Sequence, residues 1–507
     1  MSSGDQPNPY QVPAGLELPA QKSDSPAPRR VLNLFDCVCI IVGTIIGSGI
    51  FKMPSLLASI VPDTISLILV WVVGGVVALI GALCFAELTT TYPDRGGDYG
   101  YLKRAFHPRI GFAFSWSAFW IVRPANIGLM SMIFGEFADK AIPGTLSMLG
   151  FAILAIVVVS ATNLVGVTVG KTAQNILTVA KVLGILLIVG SAFLFGAEDQ
   201  VSQADLTKSA ADQVSAVSQS DGANQSSTTA ESSDQASSVE PGWFWLAMVL
   251  VMFTYGGWND IAFVASEVQQ PKRNLFRSLV IGTVTVLLVY LLVNLALLSG
   301  LGFNSMGSLG DNATSSLVSQ SMGSIGNRLL SALVCVSCLG SINAMIFTSP
   351  RIYSATARDY TALSWLAGDD QGNGWWRAML LQSIVTLVFV VAFGQLENGF
   401  TDLTVANAPF FWSFLGLTMV AMIVMRYRLA GQFVGYKTPF FPLLPLLFLA
   451  TCGFMVYRSW TYLVFRELTI STYLMAGWLV LGLGLSFLLS RKPAGSDLQQ
   501  PKDSSGS

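Results

Sequence analysis

Apolar stretches of about twenty residues recur along the whole chain, the length that carries an α-helix across roughly 30 Å of hydrocarbon. Twelve are read, near 36–60, 65–92, 110–137, 146–166, 172–196, 242–267, 277–302, 328–353, 376–395, 404–426, 438–457 and 468–490. Only 11% of residues are charged against 52% hydrophobic, whereas soluble domains average about 25% charged, so an ordinary soluble domain is excluded. The expected class is an all-α polytopic membrane protein with 12 transmembrane helices. The Lys and Arg residues concentrate in the tails and in one set of loops, among them Arg95, Lys103, Arg104, Arg109, Lys272, Arg273, Arg277, Arg426, Arg428 and Lys437. The positive-inside rule then places both termini in the cytoplasm of a multi-pass protein of the cell membrane.

The first apolar stretch is interrupted at its centre by Gly43-Thr44-Ile45-Ile46-Gly47-Ser48-Gly49-Ile50-Phe51. In hydrocarbon an unsatisfied backbone amide or carbonyl costs about 2–7 kcal/mol, so irregular backbone survives only where it is buried in protein or lines a cavity. A helix broken there offers carbonyls to a cation from its first half and N–H groups with a positive dipole end to an anion from its second. A zwitterion fits both. A second interruption falls in the sixth span, at Phe253-Thr254-Tyr255-Gly256-Gly257-Trp258-Asn259-Asp260. One glycine-rich helix is ordinarily a packing device. Breaks in the first and sixth spans are what an inverted 5+5 repeat predicts.

These residues, with Gly96-Gly97-Asp98-Tyr99-Gly100-Tyr101-Leu102, the pair Arg123-Pro124 and the proline motif Pro439 to Pro445, resemble the L-type amino acid transporter family of the amino acid–polyamine–organocation superfamily, from about Leu32 to Ser490. The resemblance implies a leucine-transporter-like fold with broken helices 1 and 6 and alternating access around a central amino acid. The implied organisation is a disordered cytoplasmic tail over 1–31, helices 1–5 over 32–196 and an acidic Ser/Gln-rich outer loop over 197–241. Helices 6–10 then occupy 242–427, helices 11–12 occupy 428–490, and a second tail runs over 491–507.

Carried over residue by residue, the substrate carboxylate is expected at Ser48, Gly49 and Ile50. The ammonium is expected at carbonyls near Thr44, Ile45 and Phe253. Phe253 also resembles the family's aromatic gate. Side-chain selectivity is expected from Ile121, Val122 and Asn126, from Gly257, Asn259 and Asp260, and more weakly from Phe410, Phe411 and Trp412, since aromatics at a helix end more often form an interfacial belt. Asp260 departs from neutral-selective relatives and has three readings: it binds a cationic side chain, carries a proton, or pairs with a distant base. Lys181 stands mid-span, where an ionisable group is a functional hypothesis by default. In sodium-independent relatives a lysine at the matching place stands where sodium-coupled members bind an ion, which makes Lys181 the coupling candidate, near Gly43 and Ser341. Its bland reading is a structural lysine on backbone carbonyls. Arg123 is read as structural, satisfying carbonyls freed by Pro124. Glu87 and Glu267 are read as gate partners of Arg95 or Arg273.

All six cysteines fall inside spans, and Cys335 with Cys338 reads as helix packing rather than metal or redox chemistry. The family's eukaryotic members carry a cysteine between spans three and four that links a glycoprotein; Asp139 to Ser147 has none, so no disulfide-linked heavy chain is expected. No metal, cofactor or nucleic acid is implied, and with His107 the only histidine no catalytic constellation supports an enzyme. The expected activity is sodium-independent exchange of large neutral amino acids. Proton symport, cationic amino acid or polyamine transport, and a non-transporting amino acid sensor stay open.

Overall fold

The computed structural model describes residues 30–93, 96–195, 242–367, 375–394, 399–428, 435–465 and 469–489. The acidic loop expected over 197–241, the tail over 491–507 and all but the last residues of the tail over 1–31 lie outside the described residues. Within them the chain is helical, with an isolated parallel bridge between Leu32 and Val268.

The first unit is a bent pair, α1 (Leu34–Ile45) and α2 (Gly49–Ala58), inclined at 47° across Ile46 to Ser48. Asn33 and Asp36 cap α1 reciprocally, each side chain taking the other's backbone N–H at 2.9 Å. A long apolar helix follows, α3 (Thr64–Thr91), then the short α4 (Asp98–Ala105), which starts where Gly96 and Gly97 take φ of 88° and 49°. The third unit is α5 (Pro108–Ser117), a π turn over Ala118–Val122, and α6 (Arg123–Ala141). Its Arg123 N–H bonds back to the Ala118 carbonyl, five residues earlier. Pro124 has no N–H to give, and the wider turn absorbs the lost bond.

After α7 (Met148–Leu164) and α8 (Val167–Phe195) comes the second broken unit, α9 (Trp243–Thr254) and a 3₁₀ helix over Trp258–Glu267. Between them Gly257 has φ 109°. A Cβ there would also stand 2.7 Å from Thr44 Cγ2, so only glycine lets the two breaks touch. The remaining helices are α10 (Pro271–Leu301), α11 (Ala313–Thr348), α12 (Pro350–Asp359), α13 (Trp375–Phe393), α14 (Gly399–Arg428), α15 (Leu443–Phe465) and α16 (Thr469–Leu488), with a short helix over Phe303–Leu309.

Nine helical units among the described residues are long and apolar enough to cross a membrane, ten if the bent pair counts as one, and Met148–Leu164 and Tyr473–Leu488 are shorter apolar helices. α11 is broken at Gly323, where φ is 62° and ψ −148°, so the helix that follows starts close to the span expected at 328, and the piece before it, from Ala313, is rich in serine. Helix α10 begins at Pro271 rather than 277, because its first turn holds Lys272, Arg273 and Asn274 after an N1 proline.

The core is arranged around α1, which packs on α8, α10, α11 and the 3₁₀ helix, while α3 packs on α10 and α6 on α7 and α11. The end of the bundle that carries Leu32 is tied by charge and backbone. Leu32 N–H donates to the Glu267 carbonyl at 3.0 Å, and the Leu32 carbonyl accepts from Gln269 N–H at 2.8 Å. Glu267 pairs with Arg351 at 3.0 and 3.1 Å, Glu87 with Arg426 at 3.0 Å, and Asp36 with Lys171 at 2.9 Å. Of the partners expected for Glu87 and Glu267, Arg273 is corrected: the carboxylates are met by Arg426 and Arg351. Arg351 and Arg426 reach these carboxylates across the bundle from α12 and α14, contacts that no loop-neighbour argument supplies; Arg95 lies outside the described residues.

Candidate substrate site

Helix α1 ends at Ile45 because Gly47 and Ser48 do not continue its ladder, which leaves its last carbonyls without helical partners. Side chains from three neighbouring helices take them up. Lys181 Nζ from α8 donates to the Gly43 carbonyl at 3.0 Å and to the Ile46 carbonyl through a shorter contact. Ser341 Oγ from α11 donates to Gly43 O at 3.0 Å, and Ser337 Oγ to Ile46 O at 3.1 Å and Gly47 O at 3.0 Å. From α10, Tyr290 Oη reaches both Ile45 O, at 3.2 Å, and Thr254 O, at 3.1 Å. One phenol thus links the ends of the two broken helices. Lys181 is fully buried, so its charge meets the negative end of α1 in a dry place. Gly43 beside it leaves room for Gln174, whose Nε2 would stand 1.9 Å from a Cβ there and would have to move.

The two breaks border one cavity of about 170 Å³. Of the residues expected at the site, Thr44, Ile45, Gly49, Val122, Asn126, Phe253, Gly257, Asn259 and Asp260 line it, while Ser48, Ile50 and Ile121 are buried outside its lining. Phe253, expected as a gate, lines the cavity and is 48% exposed. Phe411 and Trp412 also line the cavity, and Phe410 does not. Both lie in the interior of α14, since that helix starts at Gly399 rather than near them.

Asp260 does not face the cavity as a free carboxylate. The Arg123 guanidinium grips it with two parallel bonds, Nη1 to Oδ2 and Nη2 to Oδ1, both 2.7 Å, and both side chains are buried. Arg123 also stacks over Phe263, 5.3 Å from the ring centroid. The sequence reading of Arg123 as a carbonyl donor is corrected here: the π turn already resolves the proline, which frees the guanidinium for Asp260. Asp98, at the start of α4 and so outside the spans, lines the same cavity beside them. Burial pushes its carboxyl up to about 8, Asp260 adds to the shift, and Arg123 with an Asn259 hydrogen bond opposes it. In the sequence Asp98 was noted only as part of the Gly96 to Leu102 motif and was given no role.

The sign of that shift gives a stability prediction. Folded Asp98 keeps a proton that the unfolded chain releases near its ordinary value of 3.8, so its contribution to stability is full below about 4 and disappears as pH rises through about 8. In detergent the melting temperature of the native protein is expected to fall more steeply between pH 5 and 9 than that of Asp98→Asn. Parallel slopes would refute the assignment.

A helical membrane bundle with a cavity between two broken helices is the architecture of a solute carrier. The chain belongs to the amino acid permease family, whose model matches residues 32–485. It is 26% identical to the b(0,+)-type amino acid transporter 1 of Mus musculus over 86% of this chain and 85% of that protein. It is 27% identical to the serine/threonine exchanger SteT of Bacillus subtilis (strain 168), over 84% and 90%. The cystine/glutamate transporter of Homo sapiens is 28% identical over 85% and 80%. These relatives are transporters, not enzymes, and exchange is named among them.

Proposed function

We propose that this chain is a sodium-independent exchanger of neutral amino acids in the cell membrane, working by alternating access around the cavity between the two breaks. The observation that carries the reading is Lys181. Its ammonium sits on the carbonyls of Gly43 and Ile46 beside the hydroxyls of Ser337 and Ser341, a set of oxygen donors suited to a small cation. A resident protein cation there needs no sodium. The first-turn amides of α2, which a helix leaves unpaired, receive the substrate carboxylate, and the carbonyl ends of α1 and α9 receive its ammonium. Large neutral side chains suit the apolar wall of Val122, Phe411, Trp412 and Leu415. Asp260 is held by Arg123, and burial favours the neutral form of Asp98 on the same wall, so neither carboxyl suits a cationic side chain. Both chain ends are read as cytoplasmic, the two shorter apolar helices as spans, the halves as an inverted repeat, and the protein as acting without a disulfide-linked partner.

The test is uptake of labelled amino acid into proteoliposomes holding the full chain. Exchange predicts uptake that requires internal amino acid and is unchanged when sodium is replaced or a pH gradient is imposed. Uptake into empty vesicles driven by an inward proton gradient would establish symport and overturn exchange. Substrate binding without flux would establish a sensor.

A further inference from the structure

A chain of buried amides runs through the bundle and ends on α1, one turn before its break. Asn163 Nδ2 donates to Asn343 Oδ1 at 2.7 Å, Asn343 Nδ2 to Gln174 Oε1 at 2.8 Å, and Gln174 Nε2 to the Cys39 carbonyl at 3.3 Å. The helices joined in turn are α7, α11, α8 and α1. Each amide also spends its second N–H: Asn163 on the Val159 carbonyl, Asn343 on the Gly170 carbonyl, and Gln174 on Thr178 Oγ1. Thr178 in turn donates to Cys39 O at 2.9 Å. All four side chains are buried. Glycines leave them space: a Cβ on Gly170 would stand 2.3 Å from Asn163 Oδ1, as one on Gly43 would meet Gln174.

The chain has a direction. At Asn343 and at Gln174 the amide accepts through its oxygen from the helix behind and donates through its nitrogen to the helix ahead, so the last donors arrive at α1. Cys39 lies four residues before Gly43 and therefore on the same face of α1. The Gly43 carbonyl is the one held by Lys181 and Ser341, so that face is fastened to α8 and α11 at two successive levels. Apolar side chains could fill the same space, yet they would leave α1 free to turn about its axis, whereas a satisfied polar network admits one setting. Hydrogen bonds between membrane helices are individually weak, so a contact that sets α1 can also be released during turnover.

We propose that Gln174 and Asn343, anchored by Asn163, are positioning residues for exchange: their one-way chain of amides sets the rotation of α1 and so the aim of its broken end at the substrate. This deepens the exchanger reading and rests on it.

The decisive variant is Gln174→Glu, which keeps the shape and makes the donor titratable. A protonated carboxyl donates to Cys39 O as the amide does, and an ionised one turns an oxygen on an oxygen. The charged groups along the seam are Lys171, paired with Asp36 at 2.9 Å, and Lys181, on the Gly43 and Ile46 carbonyls. At this level α1 and α11 add only the thiols of Cys37, Cys39, Cys335 and Cys338, and α7 adds no titratable group. Their titration is common to native protein and variant and divides out of the ratio of the two.

Counterflow is measured in proteoliposomes holding the full chain, with the same pH on both sides and with whichever of leucine, alanine and serine the native protein takes up fastest. Relative to native, the Gln174→Glu rate is expected to be at least about tenfold higher near pH 5.5 than near pH 8.5, a contrast read within one preparation. A flat relative profile would show that the donor is immaterial and overturn the proposal. Gln174→Met, neutral and of similar length, decides if the glutamate variant does not fold. It is expected to lose about fivefold or more in rate at every pH, as misaimed groups do, with a melting temperature close to native. A native rate in Gln174→Met, or a loss that only tracks missing folded protein, would make the chain a packing element and leave exchange standing. No counterflow by the native protein would overturn exchange and the positioning role together.

Discussion

Lys181→Ala is expected to reduce exchange at least tenfold. The substitution removes two charge-assisted bonds, to Gly43 and Ile46, from a fully buried place. Hydrogen bonds to charged groups contribute about 1.5–3 kcal/mol each, so the α1 terminus loses more than the neighbouring serine hydroxyls can return. The carbonyls then retain Ser341 and Ser337 as donors, but no positive charge stands against the helix end. Lys181→Arg is expected to fail as well. A Cβ on Gly340 would already stand 3.1 Å from Nζ, a measure of how little room a planar guanidinium would find. Initial rates of counterflow in proteoliposomes, with reconstituted protein matched by immunoblot, read the effect. Native rates in Lys181→Ala would reduce the lysine to a structural filler and remove the basis for sodium independence.

The second large effect concerns the pair beneath the cavity. Arg123→Met or Asp260→Leu alone leaves one buried charge without its partner, which costs about 3–5 kcal/mol where a pair is as enclosed as this one. Each single variant is expected to give little monodisperse protein and a lower melting temperature. The double variant, with two apolar side chains in place of two charges, is expected to recover most of the loss, because neither desolvated charge remains. Thermal unfolding of all three in detergent makes the comparison. A double variant no more stable than the worse single would show that the two residues are not energetically coupled.

Much of this site was legible in the sequence for a simple reason: a helix break needs glycine at fixed places, and an intramembrane lysine is rare enough to be noticed. Gly43, Gly47 and Gly257 marked both interruptions, and the structure puts the first beneath the Lys181 ammonium and the third against Thr44. What stayed hidden were contacts that span the chain. Arg123 and Asp260 are 137 residues apart, and nothing local to either predicts the other. The proline beside Arg123 gave it a plausible local task that the π turn had already performed. Asp98 stood in the sequence only as one letter of the Gly96 to Leu102 motif, and its burial is created by packing of α4 on α5 and α14, which no periodicity in eight residues reveals.

The parallel bridge between Leu32 and Val268 has a consequence for how the chain tolerates change. It joins the approach to one broken unit to the exit from the other with peptide groups alone, Leu32 contributing both its N–H and its carbonyl. A fastening written in backbone owes nothing to side-chain charge, so raising salt leaves it unscreened, while the Leu32 side chain itself is fully buried in the core. Proline at position 32 would break it, because it deletes the donor. The ion pairs at the same end differ in kind: they hold through side chains, fully buried Glu87 among them, and each depends on its partner in a way that the peptide bridge does not.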